Sequence, residues 1–271
     1  MAFNATDIKM KQFEVYKAQA VPPESYIVVR LDGVTFSKVT KNLGLRKPFD
    51  HGFMDKMLNV TQYLMEQVPD VEVAYTQSDE ITLVFGGNTD YFNRRVEKLA
   101  SVLAARAAGF MSMQLGSPVA FDGRLSVFPT QELVDENLTW RIEDAAKNCR
   151  NLYVFWGLLA QGMSERQATK FMMGKGKDFY NEWLHQNLGL NYNDISAREK
   201  RGSLLYRVPM YRVGYNPHEN KYSLCTRNEI VQDHNIPRPS QVSPLTHVYN
   251  KRYEMGAQSH NEAEARLRDK V

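Results

Sequence analysis

The first part of the chain changes from a strand-like pattern to a helix-like one. Residues 26–31 form an apolar, β-branched run of the kind found in strands that are buried on both faces. Residues 51–68 instead repeat apolar side chains at helical spacing. The pattern predicts a strand followed by a helix that crosses one face of a sheet.

A β-hairpin is predicted next, over residues 71–85. Apolar and polar positions alternate up to residue 77, and the alternation resumes at Ile81. The polar step between the two runs consists of Ser78, Asp79 and Glu80. Serine and aspartate are good turn formers, so a tight turn is by itself a sufficient explanation of this step.

The remaining elements of the first half complete a known order. An amphipathic helix is predicted from about residue 90 to residue 115, and residues 119–128 supply a fourth strand. The order βαββαβ is that of the ferredoxin-like fold, in which right-handed crossovers place the first strand beside the hairpin. We therefore predict an α+β fold.

The second half reads as helices followed by strands. Residues 131–190 predict one long helix and two shorter ones, and two strands follow from Leu204 onward. A proline-rich connector occupies residues 235–246, and the last dozen residues predict a frayed helix or a tail. We expect a first domain over residues 1–130. Residues 131–271 would form a helical region and C-terminal extension that packs on it as one structural unit.

Two carboxylates in the predicted fold are candidate catalytic residues. Asp32 ends the first strand, and the predicted topology places it on the same sheet edge as Asp79. Two adjacent carboxylates repel each other unless a cation lies between them. Oxygen ligands without histidine or cysteine suit Mg²⁺, and two such ions roughly 3.5–4 Å apart promote in-line attack on a phosphoryl group. The pair therefore predicts phosphoryl or nucleotidyl transfer.

Composition and net charge limit the size of the core and the kinds of partner that the sequence predicts. The 271 residues are 43% hydrophobic, which is enough for a sizeable core. The formal charge of +3 is too small to indicate a nucleic-acid partner. Basic clusters at residues 93–98, 174–177 and 198–201 could contact phosphates, although such runs are usually solvated faces.

The cellular setting is predicted from cysteines and hydropathy. The chain has two cysteines without ligand spacing or a disulfide framework, which favours a reducing compartment. No apolar run reaches the roughly 18 residues of a membrane span, and the first residues lack a signal-peptide core. We expect a cytoplasmic protein with no membrane partner.

Eight motifs in order resemble one enzyme family. They are "RLDG" at 30–33, Lys47-Pro48 with Asp50, "QSDE" at 77–80, "FNRRVEKLAS" at 92–101, "FDGRLSVFP" at 121–129, "WRIEDAAKNCRNLY" at 140–153, "NEWLHQNLGLNYND" at 181–194 and "REKRGS" at 198–203. This series resembles the tRNA-His guanylyltransferase and guanylyltransferase-like family, over about residues 26–207. Enzymes of that family add nucleotides to the 5′ end of a tRNA, opposite in direction to ordinary polymerases.

The resemblance implies a fold, a metal set and partners. It implies a polymerase-like palm in residues 1–130, two Mg²⁺ ions, ATP and GTP as substrates, tRNA as partner and a homotetramer. Carried over by position, Asp32 and Asp79 would ligate the metals together with the carbonyl of Gly33. Glu80 matches the last acid of the motif and would support catalysis rather than ligate.

The resemblance also implies a nucleotide-binding set. It consists of the backbone amides of Val34, Thr35, Phe36 and Ser37, and of Lys47, Ser78, Arg95 and Lys98. Arg95 and Lys98 share a helix face, which suits two charges on one phosphate chain. The alternative is a solvated salt bridge to Glu97 or Asp90. Further polar positions, for helix capping or substrate contacts, are Asn151, Asn191, Asn193 and Arg201.

Departures from the family pattern bear on substrate choice. Val34 and Ser37 stand where many members carry arginine and histidine, and Tyr180 replaces a lysine for which Lys177 is a possible substitute. The stretch "KNCRN" at 147–151 resembles the bacterial-type branch.

The sequence therefore predicts one activity and leaves several alternatives open. The prediction is Mg²⁺-dependent addition of nucleotides to a tRNA 5′ end, used for templated repair. The ATP-activated 5′-phosphate would be attacked by the 3′-hydroxyl of the incoming nucleotide. The alternatives are non-templated guanosine addition to tRNA-His, a palm-fold nucleotide cyclase, and a non-catalytic RNA-binding module.

Overall fold

The structure, a computed structural model, describes residues 10, 13–14 and 19–269. Its first half contains β1 (Tyr26–Gly33), α1 (Phe36–Asn42), α2 (His51–Gln67), β2 (Val71–Gln77), β3 (Glu80–Phe85), α3 (Val96–Leu115) and β4 (Phe121–Phe128). Its second half contains α4 (Gln131–Ala160), α5 (Glu165–Met172), α6 (Lys177–Leu188), α7 (Ala197–Arg201), β5 (Ser203–Asn216), β6 (Lys221–Asp233) and α8 (Pro244–Arg268). A short 3₁₀ turn lies at Tyr192–Asp194, and an irregular turn lies at Tyr91–Arg94.

The described strands form one six-stranded sheet in the order β4-β1-β3-β2-β5-β6. All of its neighbouring strands are antiparallel. The first four strands have the ferredoxin-like arrangement, so the predicted α+β fold is confirmed, with β1 in the centre beside the hairpin. The two later strands extend the same sheet, because β5 pairs with β2 from Ser203 to Tyr206.

Helices cover both faces of the sheet. On one face α2 and α3 pack against Ile27, Val29 and Leu31. On the other face α4 and α8 pack against Val28 and Tyr75. Alternate residues of β1 are thus buried on opposite faces, which explains why its sequence is apolar almost throughout.

A third cluster extends the α4 face beyond the sheet. The C-terminal half of α4 contributes Val154 and Leu158, and α6 contributes Trp183 and Leu184. Ala168 of α5 is fully buried among them. These three helices therefore form a wall beside the end of β1, where Asp32 lies.

The beginning of α3 differs from the prediction. Phe92, Asn93 and Arg94 have positive φ angles, so the helix begins at Val96 rather than near residue 90. Arg94 is buried, and its guanidinium donates hydrogen bonds to the carbonyl oxygens of Val21, Pro22, Ser25 and Thr89. Arg94, which belongs to the basic cluster at 93–98, therefore has a structural role.

The C-terminal helix also differs from the prediction. It is a continuous helix of 25 residues that starts at Pro244, a position that suits proline because the first helical N–H has no acceptor. Val248, Ser259 and Ala263 are buried, and the helix packs mainly on β5. The segment predicted as frayed is thus a packed helix up to residue 268. No helix in the described part of the chain is long and apolar enough to cross a membrane.

Candidate active site

The end of β1 and the hairpin turn meet at one edge of the sheet. Asp32 is paired in register with Glu80, the first residue of β3. The next residue, Gly33, donates its backbone N–H to the carbonyl oxygen of Asp79 at 3.1 Å. The two aspartates that the sequence places on adjacent strand ends are therefore brought together.

Gly33 is required here because the chain turns sharply into α1. A Cβ atom at this position would lie 2.4 Å from the ring of Phe36. Phe36 cannot move aside easily, since it is buried and packs against the rings of Phe53 and Phe121. Glycine thus allows the backbone that follows Asp32 to pass close to a fixed aromatic side chain.

Asp79 is a carboxylate that forms no ion pair with a described residue. Burial raises its pKa, and the negative charge of Asp32 raises it further. Ser78 donates a hydrogen bond of 3.1 Å to Asp79 Oδ1, and the positive charge of Lys47 also opposes the increase. The backbone N–H of Asp79 itself also donates to the carboxylate and lowers the pKa. Among the described residues Asp79 thus has two hydrogen-bond donors but no ion pair, and a bound cation would stabilise its charged form.

The neighbouring carboxylate, Glu80, is paired internally. Arg141 of α4 donates hydrogen bonds to both carboxylate oxygens, from Nε at 2.8 Å and from one terminal nitrogen. Arg30 lies 3.9 Å away on the same carboxylate. Burial still raises the pKa of Glu80, although Arg141 opposes it. Because both oxygens are engaged by an arginine, Glu80 is placed to fix the turn rather than to ligate a metal.

A cleft of about 760 Å³ opens between this sheet edge and the wall of α4, α5 and α6. We call it the carboxylate cleft; it is lined by Asp32, Ser78, Asp79 and Glu80, together with Arg30, Tyr75, Arg141, Asp144, Asn148, Asn151 and Tyr180. The Tyr75 hydroxyl is buried and has no hydrogen-bond partner among the described residues. It is therefore a polar group available to a ligand.

Sequence reasoning missed the roles of Arg141 and Tyr75. Arg141 lies 61 residues from Glu80 along the chain, so no local pattern links the two. Tyr75 belongs to the apolar alternation of β2 and looks like an ordinary core residue. Only the packing of α4 on the sheet shows that both side chains reach the cleft.

A second cavity, of about 790 Å³, adjoins the cleft on the α1 side. We call it the Lys47 cavity; Ser78 and Asp79 line both cavities, and Ser37 and Trp156 line this one. Lys47 Nζ lies 2.9 Å from Thr40 Oγ1 and 5.6 Å from the centre of the Trp156 ring. The structure thus places Lys47, Ser78 and Asp79 around one cavity. Their role in binding a nucleotide stays a prediction.

The predicted cradle of backbone amides is only partly available. The Val34 N–H donates to the carbonyl oxygen of Ala120 at 2.9 Å, so it is already used. Thr35 precedes α1 with a positive φ of 56°, and Phe36 and Ser37 open the helix, where N–H groups have no intrahelical acceptor. The Val34 amide is therefore the weakest member of the set.

Arg95 and Lys98 lie apart from both cavities. Arg95 forms an ion pair with Glu97, which is the alternative that the sequence left open. Lys98 Nζ lies 5.6 Å from the centre of the Phe92 ring. Neither side chain lines the carboxylate cleft or the Lys47 cavity. Their role in binding phosphate stays a prediction.

The remaining polar positions divide between the two sides of α4. Asn151 and Tyr180 line the carboxylate cleft. Asn193, Arg201 and Lys177 line a different cavity on the opposite side of α4. Lys177 therefore does not occupy the space of Tyr180. Asn191 caps a local turn by accepting a hydrogen bond from the Asn193 N–H at 3.0 Å.

The donor set at this edge fits Mg²⁺ that arrives with a nucleotide. Asp32, Asp79 and the carbonyl of Gly33 are oxygen donors, and Mg²⁺ is commonly bound by one or two carboxylates together with substrate phosphates. Within residues 19–269 no cluster of three or more acidic, histidine or cysteine side chains could hold a metal alone. The phosphates of a nucleotide would complete the coordination.

A ferredoxin-like sheet whose edge presents two carboxylates to a large cleft is the arrangement of a palm-type nucleotidyl-transfer enzyme. The family model described as tRNAHis guanylyltransferase matches residues 7–129 of this chain. The model described as Thg1 C terminal domain matches residues 132–269. The chain therefore belongs to the tRNAHis guanylyltransferase family, whose enzymes are 3′-5′ nucleotidyltransferases.

Individual relatives agree with this assignment. The chain is 32% identical over 209 residues to a probable tRNA(His) guanylyltransferase of Drosophila melanogaster, covering 73% of this chain and 72% of the relative. The crystal structure of the Saccharomyces cerevisiae enzyme superposes with a TM-score of 0.68 at 27% identity, covering 73% of this chain and 91% of that chain. A bacterial Thg1-like protein in complex with ATP gives a TM-score of 0.67 at 25% identity, covering 88% and 96%.

Proposed function

We propose that this protein is a Mg²⁺-dependent enzyme that adds nucleotides to the 5′ end of tRNA, and that it serves templated repair of shortened 5′ ends. The observation that carries the proposal is the pair Asp32 and Asp79 at one sheet edge, with Asp79 lining two adjoining cavities. An enzyme that joins a nucleotide to a 5′-phosphate needs room for both partners around one metal site.

The chemistry follows the two steps of 5′ activation and addition. An oxygen of the tRNA 5′-phosphate attacks the α-phosphorus of ATP, and pyrophosphate leaves. The 3′-hydroxyl of the incoming nucleotide, GTP where guanosine is added, then attacks the activated 5′-phosphorus, and AMP leaves. Bound Mg²⁺ would lower the pKa of the hydroxyl and neutralise the charge of the leaving phosphates.

Residues of this chain would hold the metals, attract the triphosphate and fix the turn that carries Asp79. Asp32, Asp79 and the Gly33 carbonyl would hold the metals. Lys47 lines the same cavity as Asp79 and would attract a triphosphate directly, and Ser78 would orient Asp79 through its hydrogen bond. Arg141 holds Glu80 by both oxygens, so the turn that carries Asp79 is fixed before substrates bind.

Template dependence is the finer part of the proposal. It is supported by "KNCRN" at residues 147–151, which resembles the bacterial-type branch. The likeness to the bacterial Thg1-like protein in complex with ATP extends over 88% of this chain. If base pairing with the opposite strand selects the nucleotide, the protein needs to recognise only RNA shape and the 5′ end.

An extension assay on 5′-truncated tRNAs tests the proposal. The template base opposite the missing nucleotide is varied, and each labelled nucleotide is offered in turn with ATP and Mg²⁺. We expect the pairing nucleotide to be added on tRNAs of several identities. Guanosine added regardless of the opposing base, and only to tRNA-His, would contradict templated repair. A reaction without tRNA that yields a cyclic nucleotide would instead identify a cyclase.

A further inference from the structure

A third cavity, distinct from the carboxylate cleft and the Lys47 cavity, lies on the opposite side of α4. It has a volume of about 530 Å³ and lies between α4, α6, α7 and the connector after β6. We call it the basic cavity because six of its lining residues are cations, namely Lys147, Arg150, Lys177, Lys200, Arg201 and Arg238. Only two carboxylates, Glu143 and Asp178, line the same space.

The cations of the basic cavity are not neutralised by the protein. In the part of the chain that the structure describes, none of the six forms an ion pair with a carboxylate. Their contacts are with neutral groups instead. Lys200 Nζ donates to the Asn193 carbonyl at 2.8 Å, Arg201 Nε to the Ile236 carbonyl at 2.6 Å, and a terminal nitrogen of Arg238 to Asn193 Oδ1 at 3.1 Å.

Arg150 is the clearest example of a cation in this cavity that has no anionic partner among the described residues. It is 9% exposed, and its Nε has no hydrogen-bond partner among the described residues. Its guanidinium lies 4.4 Å from the centre of the Tyr192 ring, so one face is covered by an aromatic surface. A buried guanidinium with an unpaired donor is costly unless an anion completes its contacts.

Mutual repulsion among these cations also favours a bound anion. The pKa of Lys200 is lowered by burial and then by the charge of Arg201. The pKa of Arg201 is lowered by burial and then by the charge of Arg238. Asp194 raises the pKa of Lys200, but burial and Arg201 have larger effects, so the pKa stays lowered. An anion in the cavity would relieve the repulsion that remains.

We propose that the basic cavity is a phosphate-binding site, separate from the carboxylate cleft. Three guanidinium and three ammonium groups suit the tetrahedral oxygens of phosphate, which such groups bind by charge-assisted hydrogen bonds without a metal ion. The phosphate can come from the backbone of bound tRNA or from a free nucleotide. The tRNA source depends on the function proposed above, whereas the phosphate site itself does not.

The experiment uses two exposed cations of the cavity. Arg238→Gln and Lys147→Gln each remove one charge without emptying buried space, and Arg266→Gln on α8 is the matched surface control. One arm measures the Kd of tRNA without nucleotide at several salt concentrations. The other measures the thermal shift caused by inorganic tripolyphosphate in the absence of divalent metal, so that the carboxylate cleft contributes no metal-bound phosphate.

For a tRNA source, we expect the double variant Arg238→Gln/Lys147→Gln to bind tRNA about tenfold more weakly. The slope of log Kd against log salt should become shallower by about 1 for each lost contact. For a nucleotide source, we expect the tripolyphosphate shift to fall below that of the wild type and of Arg266→Gln, while tRNA affinity is unchanged. Either loss supports the site.

The proposal is overturned if the double variant matches the wild type and Arg266→Gln in both arms. If the wild type itself does not bind tRNA, the proposed function fails, and the tripolyphosphate arm alone then decides whether the cavity binds phosphate.

Discussion

The two cavities that flank α4 carry opposite net charge, although one helix supplies residues to both. Toward the sheet, α4 adds Arg141, Asp144 and Asn148 to a cleft that contains Asp32 and Asp79. Away from the sheet it adds residues to the basic cavity, among them Lys147 and Arg150. Helical periodicity separates these sets, since residues three or four apart share a face.

The two proposed sites would hold phosphate in different ways. The carboxylate cleft repels phosphate unless a divalent cation lies between them, so its binding depends on a metal. The basic cavity has an excess of cations and needs no metal. Variants that affect only one side should therefore separate catalysis from metal-independent binding.

The largest effect is expected from the carboxylates of the cleft. Asp32→Asn and Asp79→Asn should each reduce the rate of nucleotide addition about a thousandfold or more, because metal ligation supplies several kcal/mol of transition-state stabilisation. Single-turnover rates on a 5′-truncated tRNA measure the loss. The tRNA Kd is the control and should change little, since the basic cavity is intact. Near-normal rates in both variants would rule out the two-metal assignment.

A large effect on stability is expected from the pair between Glu80 and Arg141. Arg141→Met should lower the free energy of unfolding by about 3 kcal/mol, since it leaves a buried carboxylate with only the more distant Arg30. Urea unfolding at neutral pH measures this change. The double variant Arg141→Met/Glu80→Gln is the matched control and should recover much of the loss. An unchanged midpoint in Arg141→Met would show that the pair contributes little.

A smaller effect is expected for Lys47. Lys47→Gln should raise the KM for GTP about tenfold, because one charge-assisted contact with the triphosphate is lost. Arg95→Gln and Lys98→Gln should have weaker effects, since Arg95 already pairs with Glu97 and neither residue lines the two cavities. Steady-state kinetics at two salt concentrations compare the three variants. Larger losses for Arg95 or Lys98 would reverse this ranking.

The smallest effect concerns pH and the metal-free protein. The pKa of Asp79 is raised in the folded state above its ordinary value of 3.8, so folding favours the protonated form. Stability is therefore lost as the pH rises through the raised pKa, and Asp79→Asn avoids this loss. With a chelator present at pH 7, we expect the Tm of Asp79→Asn to exceed that of the wild type by about 2 °C. The advantage should vanish below pH 3.8; an advantage independent of pH would contradict this cause.

Local patterns were sufficient to predict the βαββαβ order of the first half, although they missed α1 and placed the start of α3 too early. The order βαββαβ fixes which strands are neighbours, so Asp32 and Asp79 could be placed on one edge without a structure. The turn that contains Ser78 was predicted from its residue types and from the alternation on either side of it. The candidate carboxylate pair follows from these two facts.

The second half depends on contacts between distant segments, which no local pattern encodes. The pairing of β5 with β2, the burial of Arg150 and the contact between Arg141 and Glu80 all join residues far apart in the chain. The length of α8 was missed because its polar composition hides the buried positions Val248 and Ala263. The basic cavity is likewise invisible in the sequence, since its cations come from four separate segments.

The most direct test of the central claim is metal binding at the carboxylate edge. Electron paramagnetic resonance of Mn²⁺, added with a non-hydrolysable GTP analogue, counts the ions held by each protomer without requiring turnover. We predict two nucleotide-dependent Mn²⁺ ions in the wild type and in Arg238→Gln, and their loss in Asp32→Asn and in Asp79→Asn. Equal Mn²⁺ binding in the wild type and both aspartate variants would contradict the account.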